Sequence, residues 1–340
     1  MHLPRFRHLS ATSFEDAVSL LNEYPNAALM AGGTDLLPRI KYRLDLPEVI
    51  VSLKALLAVS PSITPEGNLA LDPIMTLTAV NRSDMVREWS PLLSEAAQRV
   101  ATNEIRNMGT LGGNLCQQTR CLYYNQRHSF QFVEPCYKRG GGLCYFIPKG
   151  KKCWGVFMAD TAPPLISLCA QVKIIGQEIR QIPLEDLYTG EAEKPLAMAS
   201  GEIISQILIP RAPGNRGAAF SKSSLRGGLE FATLSVAAVL DMEDDGETCS
   251  RARLTIGAVS AAPLRARKAE SVLTGKRLSK ELFSQVADQV VAEISPVPHH
   301  GHSRAYLKEC LRAETRHALY SAAEGINLKL APERNGFPVS

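Results

Sequence analysis

The sequence predicts an α+β protein of two or three domains, and three observations predict it. Short apolar runs and helical periodicities are interleaved along the chain, so strands and helices share the same regions. Its 340 residues suffice for two or three separate cores. A polar stretch rich in proline and glycine, Arg211-Ala-Pro-Gly-Asn-Arg-Gly217, punctuates the chain where one domain would give way to the next. Hydrophobic residues at 45% and charged residues at 21% describe an ordinary globular protein. A formal net charge of +4 is too small for this length to argue for nucleic acid or a membrane surface. No run of 18 apolar residues occurs, and the N-terminus MHLPRFRHLSATSFEDAV carries no apolar leader. A cytoplasmic protein without a membrane span is expected.

Ser13 is placed to cap a helix, with Asp16 three residues on and apolar residues at Phe14, Ala17, Val18, Leu20 and Leu21. Residues 27–31 read as a short buried strand feeding Gly32-Gly33-Thr34-Asp35. Leu36, Leu37, Ile40 and Tyr42 then carry helical spacing, and residues 48–53 read as another strand. The first 55 residues are thus a βαβ-like unit with a glycine turn at the strand-to-helix junction. Residues 68–75 look extended, and 84–100 helical with Pro91 interrupting or restarting the helix. Strand-like runs follow at 154–158, 172–175 and 203–209. Beyond the boundary, 233–242 and 252–258 read as strands around the acidic turn Glu243-Asp-Asp-Gly246. Helices are expected at 262–273, 279–293 and 302–325, with a loose tail after them.

Two glycine turns could carry chemistry. In Ala31-Gly-Gly-Thr-Asp-Leu-Leu37 paired glycines would let backbone N–H groups approach a phosphate, with the Thr34 hydroxyl beside them. The spacing is not that of a dinucleotide fingerprint, so a purely structural turn stays open. Thr110-Leu-Gly-Gly-Asn114 is a second such turn, approached by Asn103, Arg106 and Asn107. Two turns within 115 residues suggest a shared dinucleotide ligand.

Eight cysteines in a cytoplasmic setting do not suggest a disulfide framework. Cys121, Cys136, Cys144 and Cys153 form a C-x14-C-x7-C-x8-C pattern in a basic, aromatic, glycine-rich segment. Four thiolates can hold zinc or an iron–sulfur cluster. The lack of a close C-x(2–4)-C pair favours the cluster over zinc, and a basic loop with incidental cysteines is the third reading. Lys138, Arg139, Lys149, Lys151 and Lys152 would offset the charge of a thiolate-bound cluster. Cys116, Cys169, Cys249 and Cys310 lie outside this set. The group His299-His300-Gly-His302 sits between prolines and helix and reads as a solvated loop. Hydrolase and P-loop patterns are absent from the sequence.

The segments AGGTDLLPRIK, IRNMGTLGGNLC, ADTAPPL, GEIISQILIP and GAVSAAPLRARKAESVLTG, in this order, resemble the medium, FAD-binding subunit of the molybdenum hydroxylases, the xanthine dehydrogenase family. The resemblance runs from about residue 1 to 325. It implies a two-part FAD-binding domain of the PCMH/vanillyl-alcohol-oxidase-like type, at 1–55 and 56–215, followed by a C-terminal α/β sandwich domain at 216–330. The step from Asn114 to Asp160 is 46 positions where most members have about a dozen. That insertion, at about 117–155, is similar to the 4Fe–4S loop of the 4-hydroxybenzoyl-CoA reductase β subunit.

Carried over by position, the resemblance places FAD on Ala31, Gly32, Gly33, Thr34, Asp35, Leu36 and Leu37. A second set comprises Thr102, Thr110, Gly112, Gly113 and Asn114, with Asp160, Ile204 and Lys222 completing the site. Cys121, Cys136, Cys144 and Cys153 would bind the 4Fe–4S cluster. No residue of this chain is expected to act on substrate. The resemblance implies a small 2Fe–2S subunit and a large molybdopterin subunit, assembled as a dimer of heterotrimers. Electrons would run from a ferredoxin-like donor through 4Fe–4S, FAD and 2Fe–2S to molybdopterin. An aldehyde, N-heterocycle or xanthine-type dehydrogenase would run the flavin in the oxidising direction. A zinc-stabilised binding or scaffold protein is the alternative of another class. The Tyr-Arg pair common before the last helix is replaced here by Tyr306-Leu307.

Overall fold

The computed structural model describes residues 2–125, 134–226, 230–326 and 328. The expected tail lies almost wholly outside them. Three sheets stand along the chain. The first is parallel, in the order Arg7–Ser10, Val49–Ser52, Ala27–Met30. Its central strand, Val-Ile-Val-Ser, is buried throughout, as an apolar run flanked on both sides must be. The edge strand Arg7–Ser10 was not legible as one, because its residues are mostly exposed and polar. The helix Phe14–Glu23 covers this sheet. Ser13 accepts the N–H of Asp16 at 3.0 Å, while the Asp16 carboxylate returns to the N–H of Thr12 at 2.7 Å.

The second sheet is antiparallel and five-stranded: Ser62–Ile63, Leu69–Leu71, Ile203–Ile209, Gln171–Ile175, Ile179–Pro183. Helices Leu77–Arg82, Asp84–Trp89, Pro91–Gln98 and Ala162–Ser167 pack on it. Pro91 does restart a helix, taking the first position, where its missing N–H costs nothing. Residues 154–158 form no sheet strand. They are held by an isolated pairing of Val156 with Arg120 and by the Phe157 N–H on the Ser260 carbonyl.

The third sheet carries Arg216–Ser223, Leu234–Met242 and Thr248–Gly257, with short strands Leu264–Arg265 and Lys276–Arg277 on the last of these. Helices Arg267–Leu273, Lys280–Glu293 and Arg304–Glu324 cover one face. Ser279 and Ser303 cap the last two, each accepting an N–H three residues on. The central strand Leu234–Met242 is buried at every position, because helices lie on one face and the second sheet's core on the other. This is the expected α+β architecture. No described helix is long and apolar enough to cross a membrane.

Candidate functional site

The two glycine turns meet. The turn after the strand Ala27–Met30 lies against the end of the helix Asn103–Met108. A Cβ added at Gly32 would stand 1.8 Å from the Met108 carbonyl oxygen, so only glycine permits this approach. Gly33 has a φ of 73°, the left-handed region that glycine enters without strain. Among the described residues the N–H groups of Gly32, Gly33 and Thr34 have no acceptor in the protein. These are the unspent donors a diphosphate needs.

Together the turns wall a cleft of about 440 Å³. Ala31, Gly32, Gly33, Thr34, Asp35 and Leu36 line it from one side, and Thr102, Thr110, Gly113 and Asn114 from the other. The second turn uses its donors internally. The N–H groups of Leu111, Gly112 and Asn114 go to the carbonyls of Met75, Pro73 and Thr110, and that of Gly113 to the Thr110 hydroxyl at 3.1 Å. Thr110→Ala is therefore expected to cost about 1 kcal/mol in urea unfolding through loss of this cap. Thr110→Ser should stay within a few tenths of wild type, and equal losses in both would point away from the hydroxyl.

Other expected positions lie outside the cleft lining. Leu37 packs back onto Gly33, and Gly112 is pressed against Pro73. Ile204 is a buried sheet residue paired with Ile174. Asp160 and Lys222 form a buried ion pair at 2.7 Å beneath the cleft. Lys222 also donates to the Arg99 carbonyl at 2.8 Å, next to the cleft residues Val100 and Ala101. Thr161, following Asp160, donates its hydroxyl to the Asn114 side chain at 2.6 Å. Burial holds the Asp160 carboxyl above the ordinary range, with Lys222 pulling it back.

Among the cleft residues that sequence reasoning missed are Arg39, Gln117, Arg120 and Phe231. Asp35 gathers two of them, accepting from Arg120 and Arg39, and from the Gln118 N–H at 3.3 Å. The Arg120 guanidinium lies 4.4 Å from the Phe231 ring centre. Arg120 directly precedes the first cysteine of the quartet, a signal present in the sequence. Phe231 is more than a hundred residues away, with none.

The four cysteines come together. Cys121, Cys136, Cys144 and Cys153 line one small cavity, walled by Tyr123, Tyr124, Tyr137 and Trp154. All four are free thiols. Backbone N–H groups reach two sulfurs, Ile147 to Cys144 and Gly155 to Cys153, each at 3.4 Å. Burial pushes the Cys121 thiol up, and that of Cys153 up to about 11. Among the described residues no three His, Cys, Asp or Glu side chains group as ligands of one metal ion. Cys116 stands apart on the wall of the glycine-turn cleft, its thiol pushed up to about 12 by burial.

Of the five basic residues expected to offset cluster charge, Lys138 and Arg139 are half-buried and the other three exposed; Lys138 is anchored by side-chain hydrogen bonds. Its Nζ donates to Gln118 Oε1 at 3.1 Å, to the Ala192 carbonyl at 2.8 Å and to the Thr119 hydroxyl. Burial lowers it to about 8, with Cys153 among the groups opposing that. The histidine group departs from the solvated-loop expectation. His299 is buried, with Nδ1 2.7 Å from the Val297 carbonyl and Nε2 2.8 Å from that of Thr233.

A parallel sheet with an open glycine turn, a second turn between two short helices, and a cleft walled by both define a dinucleotide-binding protein of mixed helix and sheet. Residues 4–212 match the family described as the FAD binding domain in molybdopterin dehydrogenase, and 218–322 the CO dehydrogenase flavoprotein C-terminal domain. The chain belongs to this family of FAD-binding oxidoreductase subunits. It is 25% identical over 328 residues to the 6-hydroxypseudooxynicotine dehydrogenase complex subunit alpha of Paenarthrobacter nicotinovorans, covering 95% of this chain and 96% of that one. It is 28% identical over 266 residues to the aldehyde oxidoreductase FAD-binding subunit of Escherichia coli, covering 74% and 80%. Reconstituted CO dehydrogenase from Oligotropha carboxidovorans contains a chain that superposes with a TM-score of 0.78 at 25% identity, over 96% and 100%.

Proposed function

We propose that this chain is the FAD- and 4Fe–4S-containing electron-transfer subunit of a heterotrimeric molybdenum hydroxylase, of the 4-hydroxybenzoyl-CoA reductase type. One observation carries the finer part: the four cysteines of the insertion line a single cavity. The family description speaks of FAD alone, so the cluster rests on this chain's own thiols. In this reading Cys121, Cys136, Cys144 and Cys153 hold the cluster. The N–H groups of Ile147 and Gly155 donate to its thiolates, and Lys138 sets a half-buried positive charge beside Cys153. The turn at residues 31–36 holds the diphosphate, and Thr102, Thr110, Gly113 and Asn114 close the other wall. FAD, when bound, supplies exchange between two-electron and one-electron chemistry. Asp35 and Arg120 tie the two sites together, since Arg120 pairs with Asp35 and is bonded to Cys121.

The partners of the proposed assembly are a small 2Fe–2S subunit and a large molybdopterin subunit that carries the substrate. A ferredoxin-like protein is the external donor. Names such as complex subunit alpha and FAD-binding subunit among the relatives support the multi-subunit setting. They also favour a second reading, in which the flavin works in the oxidising direction of an aldehyde or N-heterocycle dehydrogenase. The domain limits proposed are 1–55, 56–215 with the insertion, and 216–330.

Anaerobically purified protein is expected to hold one FAD and about four irons per chain. Cys136→Ser should lose the iron and keep the flavin, measured by iron assay and visible absorbance. Wild-type protein holding zinc without iron, or a variant with undiminished iron, would overturn the cluster assignment and leave the FAD assignment standing.

A further inference from the structure

We propose that the exposed lysines of the insertion, Lys149, Lys151 and Lys152, form with Leu122 and Tyr123 a docking face for a small acidic protein that carries a one-electron centre. This rests on the reading of the four cysteines as cluster ligands, and adds to it the surface on which the external donor sits. The three lysines stand between Cys144 and Cys153 in the chain, and all three are exposed. Among the described residues no carboxylate pairs with any of them, and the sequence of residues 126–133, outside the described ones, contains none. Lys149 takes a φ of 62° in the tight turn that the Gly150 N–H closes on the Ile147 carbonyl at 2.9 Å. Glycine would stand there without strain, so this lysine is kept at a cost in backbone energy.

The face borders the thiol cavity. Lys152 Nζ lies 5.2 Å from the centre of the Trp154 ring, and Trp154 lines that cavity. Tyr123 lines it too, stacked on Tyr145 with 5.8 Å between ring centres. Yet Tyr123 is 43% exposed, and Leu122 beside it 66%. Charge then selects the partner. Lysine ammonium groups are compact and strongly hydrated, so at the rim of a contact they speed association without locking the complex. Electron-transfer encounters bury little surface, which a few exposed apolar side chains can supply. Glu134 is exposed and gives its carbonyl to the Tyr145 hydroxyl, and Glu193 accepts the Cys153 N–H at 2.7 Å. Lysines set among carboxylates suit a patterned acidic protein surface and oppose a uniformly anionic membrane.

The test uses the full chain, loaded with FAD and iron, and a plant-type 2Fe–2S ferredoxin as the acidic probe. A water-soluble carbodiimide joins lysine amines to carboxylates in contact. Peptide mass spectrometry is expected to place the cross-links at Lys149, Lys151 or Lys152. Affinity should fall about tenfold or more between low and physiological salt. Lys149→Glu, Lys151→Glu and Lys152→Glu combined should weaken binding about tenfold or more. Lys268→Glu, Lys276→Glu and Lys280→Glu combined, an equal charge change on the C-terminal domain, should leave it within about twofold. The face is overturned by cross-links confined to other lysines, by affinity indifferent to salt, or by equal weakening in the two triple variants. Binding of anionic phospholipid vesicles without binding of ferredoxin would overturn it as well. Iron-free wild-type protein would remove the cluster reading itself, and the face with it.

Discussion

Gly32→Ala is expected to yield a folded chain that purifies without flavin, with FAD affinity at least about 100-fold below wild type. That factor corresponds to about 2.7 kcal/mol. The added Cβ would lie 1.8 Å from the Met108 carbonyl oxygen and 2.6 Å from its carbon, where contacts become ordinary only beyond 3.4 Å. Both obstacles are backbone, so no side chain can swing aside. The turn at residues 31–36 must withdraw from the helix Asn103–Met108, and the N–H groups of Gly32, Gly33 and Thr34 withdraw with it. Overpacking of this kind costs roughly 1–3 kcal/mol in stability, which a protein of this size survives. Gly67→Ala is the control. Its φ of 81° makes alanine strained, yet nothing lies within 4 Å of the new methyl. It should lose about 1 kcal/mol and keep its flavin. Flavin absorbance per chain and equilibrium dialysis read the difference. A Gly32→Ala protein with one FAD per chain and near-native affinity would remove the two-turn cleft as the binding site.

What was legible in the sequence was what neighbours in the chain decide. Ser13 caps its helix because a cap needs only residues three positions apart. Pro91 restarts a helix for a reason internal to its own ring. The strand Ile203–Ile209 is an apolar run long enough to announce itself. The strand Arg7–Ser10 failed that test: its partner Val49–Ser52 brings the apolar surface, and its own residues stay mostly exposed. The site divides the same way. The glycine turns and cysteines were visible as motifs, whereas Arg120 against Asp35 and Phe231 arises from contacts across 85 and 111 positions. His299 was misjudged because its neighbours in sequence are loop-forming, while the carbonyl that buries Nε2 belongs to Thr233.

The Asp160–Lys222 pair gives the other large effect. Lys222→Met is expected to cost about 3–5 kcal/mol near neutral pH, because it leaves a buried carboxylate without its counter-charge. The two side chains are 3% and 5% exposed, so water cannot substitute. The Arg99 carbonyl loses its donor as well. The pH dependence separates charge from packing. Burial already raises Asp160 above its unfolded value, with Lys222 the main opposing influence. Without Lys222 the folded value rises further. A carboxyl raised on folding binds more protons folded than unfolded between the two values, so stability falls as pH rises through that window. The penalty of Lys222→Met should therefore be smallest near pH 4 and grow towards pH 8, followed by urea midpoints. Asp160→Asn combined with Lys222→Met should recover most of the loss, since no charge remains to bury. A penalty constant across that pH range would mean that Lys222 acts through its packing and its bond to Arg99. Asp160 would then be a neutral acid under the flavin cleft already in the native protein.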